Sequence, residues 1–443
     1  MTELYIGTTI FILSYIAIVS ERIHKTIIAI VGASAMLLFK ILEQREAFFS
    51  EEFGIDYNVI FLLIGMMIII NIMKDTGVFE WIAIKAAKFA KGEPIRIMVT
   101  LSVVTAFLSA FLDNVTTVLL IAPVTLLICD ALEIEPVPFL ITEAIASNIG
   151  GTATLIGDPP NIMIASKAKL EFMDFIYNLT PIIIIVMVAY IFTVKWMFKK
   201  SLTVKPELKA RIMEMKESEA SEAITDPALT RKSLFVLALT VLGFLFHSQL
   251  GFEPATIALS GAGLLLLVAG KEPNDILEKI EWTTLFFFMG LFIMVGGVVK
   301  VGLIKILAEQ ALNLTQGNMF ATSMLVLWFS AFASAIIDNI PYVATMNPLI
   351  IDMAKGLWPN VSDPVALVHT PALMPVWWSL ALGACLGGNG TLIGASANVV
   401  VAGMAEKAGK KITFMQFTKY GMPLMIESVI ICTFYIWIRY YIF

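Results

Sequence analysis

The sequence predicts an all-α polytopic membrane protein made of two inverted repeats. Each repeat is expected to hold about five transmembrane helices, one re-entrant helical hairpin and one broken helix. Three observations lead there: apolar windows long enough to cross a bilayer, a duplication in register over most of the chain, and polar clusters recurring at matching places inside apolar sequence. Hydrophobic residues make up 58% of the 443 and charged residues 15%, with a mean hydropathy of +0.87; an average soluble domain has roughly 25% charged residues.

About twenty consecutive apolar residues suffice to cross the hydrocarbon core as a helix. Such windows lie at 4–20, 26–42, 57–73, 179–198, 233–250, 255–270, 283–299 and 421–441. The first has no basic residue ahead of it and no small-residue cleavage site after it, so it reads as a retained span. The three cysteines, Cys129, Cys385 and Cys432, are far apart in apolar surroundings and form neither a disulfide framework nor a CxxC metal site. His24, His247 and His369 are scattered and read as boundary residues. No GxxxxGK[ST] loop is present, which excludes an ATP-driven pump of that type. The net charge of −5 says nothing about partners once the membrane is recognised.

The duplication is visible in the letters. NVIFLLIGMMIIINIMKDTGVFEWIAIKAA from Asn58 matches TTLFFFMGLFIMVGGVVKVGLIKILAEQAL from Thr283, an offset of 225 residues. At that offset Gly65 meets Gly290, Gly77 meets Gly302, and Asp113-Asn114 meets Asp338-Asn339. TLIGDPPN at 154–161 meets TLIGASAN at 391–398, an offset of 237 that a Pro-rich insertion around 359–375 accounts for. The division is therefore a first transmembrane repeat at 1–198, a polar linker at 199–232 and a second repeat at 233–443. The linker, KKSLTVKPELKARIMEMKESEASEAITDPALTRK, reads as solvated and cytoplasmic.

The tract IMVTLSVVTAFLSAFLDNVTTVLLIAPVTLLI at 97–128 is either one overlong span or a hairpin with its Asp-Asn pair at the tip. Charge placement favours the hairpin. With five crossings per half, both chain ends are outside, and 22 of the 30 lysines and arginines fall on the linker side. An odd number of crossings inverts the second repeat, the arrangement that alternating-access transporters use. The amphipathic segments 75–92 and 300–312, just before each Asp-Asn tract, read as interfacial helices or as plain connectors.

Two polar clusters per half interrupt the apolar sequence. A carboxylate at the bilayer centre costs about 2.5–3.5 kcal/mol on insertion scales, so Asp113 and Asp338 are expected to face a cavity and bind a cation or proton. Helix capping is a compatible second job, although Ser or Thr would cap without introducing charge. The second cluster is SNIGGTATLIGDPPN at 147–161, matched by GACLGGNGTLIGASAN at 383–398. Its glycines and prolines cannot continue a helix smoothly, and non-helical backbone at membrane depth is tolerated where it lines a cavity or is buried in protein. Close packing through small residues is the alternative, but packing needs no Asn148, Thr152, Asp158 or Asn161. Asp158 is a third membrane carboxylate whose counterpart is Ala395, so its job is specific to one half or local. Carboxylate, amide and carbonyl oxygens suit hard cations. One carboxylate can hold a proton or a sodium ion but not both, which is the simplest physical basis for exchange.

FLDNVTTVLLIAPVT, SNIGGTATLIGDPPN, IIDNIP and GGNGTLIGASAN together resemble the ion transporter superfamily, nearest the ArsB/NhaD and pink-eyed dilution (P-protein) permeases. More distantly they are similar to the sodium-coupled dicarboxylate and citrate transporters. Those carry Ser-Asn-Thr at each hairpin tip, where this chain has Asp113-Asn114-Val115 and Asp338-Asn339-Ile340. The resemblance spans nearly the whole chain except the linker. It implies an elevator-like moving part against a scaffold, a homodimer, and a two-part ion or substrate site. One part is Asp113, Asn114, Thr116 and Thr117 with Gly150, Gly151 and Thr152, and the other is Asp338 and Asn339 with Gly387, Gly388, Asn389 and Thr391. The polar residues of the broken helices, Asn148, Asp158, Asn161 and Asn398, are added to the candidate site from the residues themselves. Asp113, Asn114, Asp338 and Asn339 are the candidate sodium ligands.

The expected function is secondary active transport, foremost sodium/proton antiport, with no catalytic residue and no cofactor beyond the coupling ion. An anion permease for arsenite or a di- or tricarboxylate such as citrate is the alternative, as is a channel of P-protein type. No basic residue lies within either core cluster, which counts against a multiply charged anion. The partners expected are a small ion or molecule and membrane lipid, not nucleic acid, and the location expected is the cell (inner) membrane.

Overall fold

A computed structural model describes residues 2–20, 22–199 and 222–442, so most of the linker (200–221) lies outside the described residues. The first half comprises α1 (Thr2–Ser20), α2 (Lys25–Leu38), α3 (Gln44–Phe49), α4 (Tyr57–Lys74), α5 (Val78–Phe89), α6 (Pro94–Ser109), α7 (Asn114–Ala131), α8 (Val137–Gly151), α9 (Pro159–Ala168), α10 (Phe172–Asn178) and α11 (Thr180–Phe198). The second comprises α12 (Pro227–Leu250), α13 (Pro254–Ala269), α14 (Pro273–Leu277), α15 (Trp282–Lys300), α16 (Leu303–Thr315), α17 (Met319–Ile336), α18 (Asn339–Leu357), α19 (Pro364–Val368), α20 (Met374–Gly387), α21 (Ser396–Lys407) and α22 (Phe414–Trp437). Among the described residues, eight helices are long and apolar enough to cross a membrane.

Local chemistry sets where these helices begin. Asp56, Asp226 and Asn318 cap α4, α12 and α17 through their side chains, and proline stands in the first turn of α6, α12 and α13, where its missing N–H costs nothing. The span expected at 26–42 is shorter than the sequence suggests. Lys40 turns the backbone left-handed at φ 56° and α2 stops at Leu38. Its 14 residues reach about 21 Å at 1.5 Å per residue, against a hydrocarbon core of about 30 Å. The amphipathic segments form α5 and α16, which bury Val78, Phe79, Ala83, Ala86 and Ala87 in one case and Ile304 and Ala308 in the other. Those faces lie against hairpin arms, α6 and α7 for α5 and α18 for α16.

Contacts between helix ends sort the molecule into two opposite ends. At the linker end, Lys279 bonds Asp75 (2.8 Å), Thr225 bonds the Asp75 carbonyl (2.8 Å) and Lys410 pairs with Glu135 (3.2 Å). At the far end, Lys300 pairs with Glu46 (2.6 Å), Lys355 with Glu52 (3.5 Å), and His369 meets the Lys169 carbonyl (3.0 Å).

The tract at 97–128 is a hairpin. Gly150 of α8 lies against the backbone of Ala106, and Thr154 bonds the Ala110 carbonyl, so α6 and α8 run in the same direction. Helix α7 returns antiparallel to α8, with Asn114 beside Asn148 and Thr125 beside Glu143 (2.5 Å). Both arms therefore meet the linker end, and the tip is Ala110–Asp113. In the second half Gly383 lies against Leu327, Gly387 against Ala331, and Thr391 bonds the Ala335 carbonyl, so α17 and α20 run in parallel. Tyr342 and Ser330 touch across this hairpin at 2.9 Å, whereas a continuous helix would separate twelve residues by about 18 Å. The arms α17 and α18 open to the far end.

The core is shared between the halves. Helix α2 packs on α15 and α13 on α4, each pair with a glycine at the crossing. A Cβ on Gly65 would stand 2.6 Å from the Ala258 carbonyl carbon, and one on Gly290 2.6 Å from that of Ala29. Gly263, on α13, has open space around it. Gly65→Ala and Gly290→Ala should each destabilise the protein by about 1–3 kcal/mol through overpacking, read as a lowered thermal midpoint in detergent, while Gly263→Ala leaves the midpoint near wild type.

Candidate ion and substrate site

Both halves break a helix at the same depth and bring a hairpin tip to the break. Helix α8 ends at Gly151 and the chain runs non-helically to Asp158 before α9; α20 ends at Gly387 and resumes as α21 at Ser396. Asparagines staple each break. Asn161 donates to the carbonyls of Thr152 (3.2 Å) and Thr154 (2.8 Å), and Asn398 to those of Gly388 (2.8 Å) and Thr391 (3.0 Å). These bonds satisfy carbonyls that the interrupted helices leave free at a buried place.

The breaks are also tied across the halves. Asn148 donates to Asn389 (2.9 Å) and Asn398 (3.1 Å). At the matching position Cys385 points its thiol at Asn161 (3.6 Å). Asp158 lies where the tips meet, fully buried. The Asn114 amide donates to it at 3.3 Å and to Asn148 at 3.1 Å, while the Asn339 amide reaches both Asp158 oxygens at 3.3 and 3.4 Å. Asp158, present in one half only, is thus the shared acceptor of both.

The tip carboxylates cap the helices that follow them. Asp113 accepts from the Thr116 backbone (2.9 Å) and hydroxyl (2.5 Å), and Thr117 bonds the Asp113 carbonyl (2.9 Å). Asp338 accepts from the Ile340 N–H (3.1 Å), from the Ser396 hydroxyl (2.7 Å) and from the Lys25 ammonium (2.8 Å). The core clusters hold no basic residue of their own, but one reaches Asp338 from elsewhere in the chain. Lys25 enters from the start of α2, 313 residues away in sequence, and no local pattern around 338 could have announced it. Ser396 and Glu281 were likewise not singled out by the sequence.

Asp113, Asn114, Asp158, Asp338 and Asn339 line one cavity of about 550 Å³, with Lys25 and Glu281 beside them. His24 and Glu281, which precede α2 and α15 at the linker end, line it as well. The other expected site residues stand behind this wall. Gly150 and Gly387 are taken up by packing on Ala106 and Ala331, and Gly151 lies against the Gly157 carbonyl. Thr152 bonds the Asn148 carbonyl (2.7 Å) and Thr391 that of Ala335. Among the described residues, no three His, Cys, Asp or Glu side chains converge closely enough to share a resident metal.

A family model described as a citrate transporter matches residues 15–383. The chain belongs to this citrate transporter family. An uncharacterized transporter of Mycobacterium tuberculosis is 48% identical over 99% of each chain. The human P protein is 33% identical over 96% of this chain and 59% of its own length, in keeping with the resemblance read from the motifs. A solved structure, the YdaH transporter of Alcanivorax borkumensis, aligns with a TM-score of 0.49 at 14% identity over 94% of this chain and 98% of that one. This member of the family is an integral multi-pass membrane protein and a secondary transporter, not an enzyme.

Asn148 holds three side-chain partners from one buried position. Asn148→Ala strands the side-chain oxygens of Asn389 and Asn398 and leaves the Asn114 amide with Asp158 alone, and should lower stability by about 1–3 kcal/mol per buried group left unpaired. The measurement is thermal unfolding in detergent, with Asn148→Gln as the size control.

Proposed function

We propose that the chain exchanges sodium for protons at the cavity formed by Asp113, Asp158 and Asp338 with Asn114 and Asn339. The observation that carries this reading is the cavity's charge balance: four carboxylates, counting Glu281, face one ammonium. Such a lining attracts a cation or proton and repels a free anion. The oxygens of Asp113, Asp158 and Asn114 are the donor types that hard cations take. A carboxylate that binds either ion in turn exchanges one for the other.

We infer that the halves are related by inversion, since the α6–α7 hairpin opens to the linker end and the α17–α18 hairpin to the far end. Alternating access then moves the tips and broken helices against α4, α13, α2 and α15, in an elevator-like step within a homodimer. The linker end is taken as cytoplasmic and both termini as outside, in a cell inner membrane. A citrate-like anion is the second reading; the family's description and the presence of Lys25 in the cavity favour it.

The test is flux in proteoliposomes. An imposed proton gradient should drive radioactive sodium uptake, and Asp113→Asn should reduce that uptake to the level of empty vesicles. Undiminished uptake in Asp113→Asn removes the reading. Citrate or arsenite uptake without sodium dependence replaces it with the anion reading.

A further inference from the structure

The two hairpin tips match in sequence but not in what surrounds their carboxylates. At Asp338 the site is closed by side chains. Lys25 Nζ lies 2.8 Å and Ser396 Oγ 2.7 Å from the same Asp338 oxygen, and Lys25 bonds Ser396 at 2.9 Å. The ammonium also stands 5.0 Å from the centre of the Phe287 ring, a second cation contact in a partly desolvated place.

Neither partner exists at the first tip. Pro159 occupies the position matched to Ser396 by the 237-residue offset, and Pro254 opens α13 as Lys25 opens α2. A proline side chain donates no hydrogen bond. Conversely Thr116, which bonds Asp113, has Pro341 at its matched position. Among the described residues no lysine or arginine forms an ion pair with Asp113, which faces the same cavity as Asp158.

We propose that Lys25 is a built-in cation that fills the second tip, so that each protomer carries one exchangeable cation, at Asp113 and Asp158, rather than two. This rests on the reading of the cavity as a cation site. A tethered ammonium competes for Asp338 at the high effective concentration of an intramolecular partner. A free sodium ion there has to displace it and then share a low-dielectric cavity with it. Lys25 thereby sets the stoichiometry of a site that the duplicated sequence makes look twofold.

The test counts sodium bound at saturation to the purified protein, by equilibrium dialysis with the radioactive ion. Wild type should bind one per protomer; two in wild type overturns the proposal without any variant. Lys25→Gln and Lys25→Met should each bind two, and Lys25→Gln combined with Asp338→Asn should return to one. A count of one in both single variants, with thermal midpoints near wild type, overturns the proposal and leaves the cation reading standing. No bound sodium in wild type overturns the cation reading, and this inference with it.

Discussion

A single buried carboxylate holds the centre of this molecule together. Asp158 is fully buried, and a buried charge without partners is costly. Its partners are two amides from opposite halves, Asn114 and Asn339, each the first residue of the helix leaving a hairpin tip. That requirement draws both tips to one depth, and the rest of the arrangement follows. The breaks must lie beside the tips, so Asn161 and Asn398 fasten them. The halves must interlock, so Asn148 crosses to Asn389 and Asn398. The hairpin arms must approach α8 and α20 closely, so Gly150 and Gly387 sit on backbone.

The same geometry gathers positive helix ends. Helices α7, α9, α18 and α21 all begin at the cavity, with Asp113, Asp158, Asp338 and Ser396 at or beside their N-termini. Their dipoles favour negative charge there, which offsets part of what it takes to keep three carboxylates at membrane depth. On the proposed reading, an arriving cation would meet preorganised oxygens, and a proton would compete for the same oxygen pair.

Much of this was legible in the sequence, for identifiable reasons. Spans show because the helical rise fixes how many apolar residues a crossing takes, and the repeat shows because helices start 225 residues apart, Tyr57 with Trp282 and Asn114 with Asn339. Asp113 and Asp338 stood out as charges in apolar sequence. The part that was not legible depends on contacts between distant segments. Asp158 reads as specific to one half or merely local because its counterpart is alanine, and the structure makes it the acceptor that both halves share. Lys25 is only one of the 22 basic residues counted on the linker side. The glycines read as ligand-site backbone, while Gly150 and Gly387 prove to be packing positions, which letters alone do not distinguish.

The central claim is that sodium and protons compete for one set of carboxylates, and the apparent sodium affinity measured as a function of pH tests it most directly. By linkage, a bound proton that must leave before sodium enters weakens the apparent affinity as pH falls, up to tenfold per pH unit for each proton displaced. A sodium affinity that stays constant across the pH range in which the protein remains folded contradicts the account.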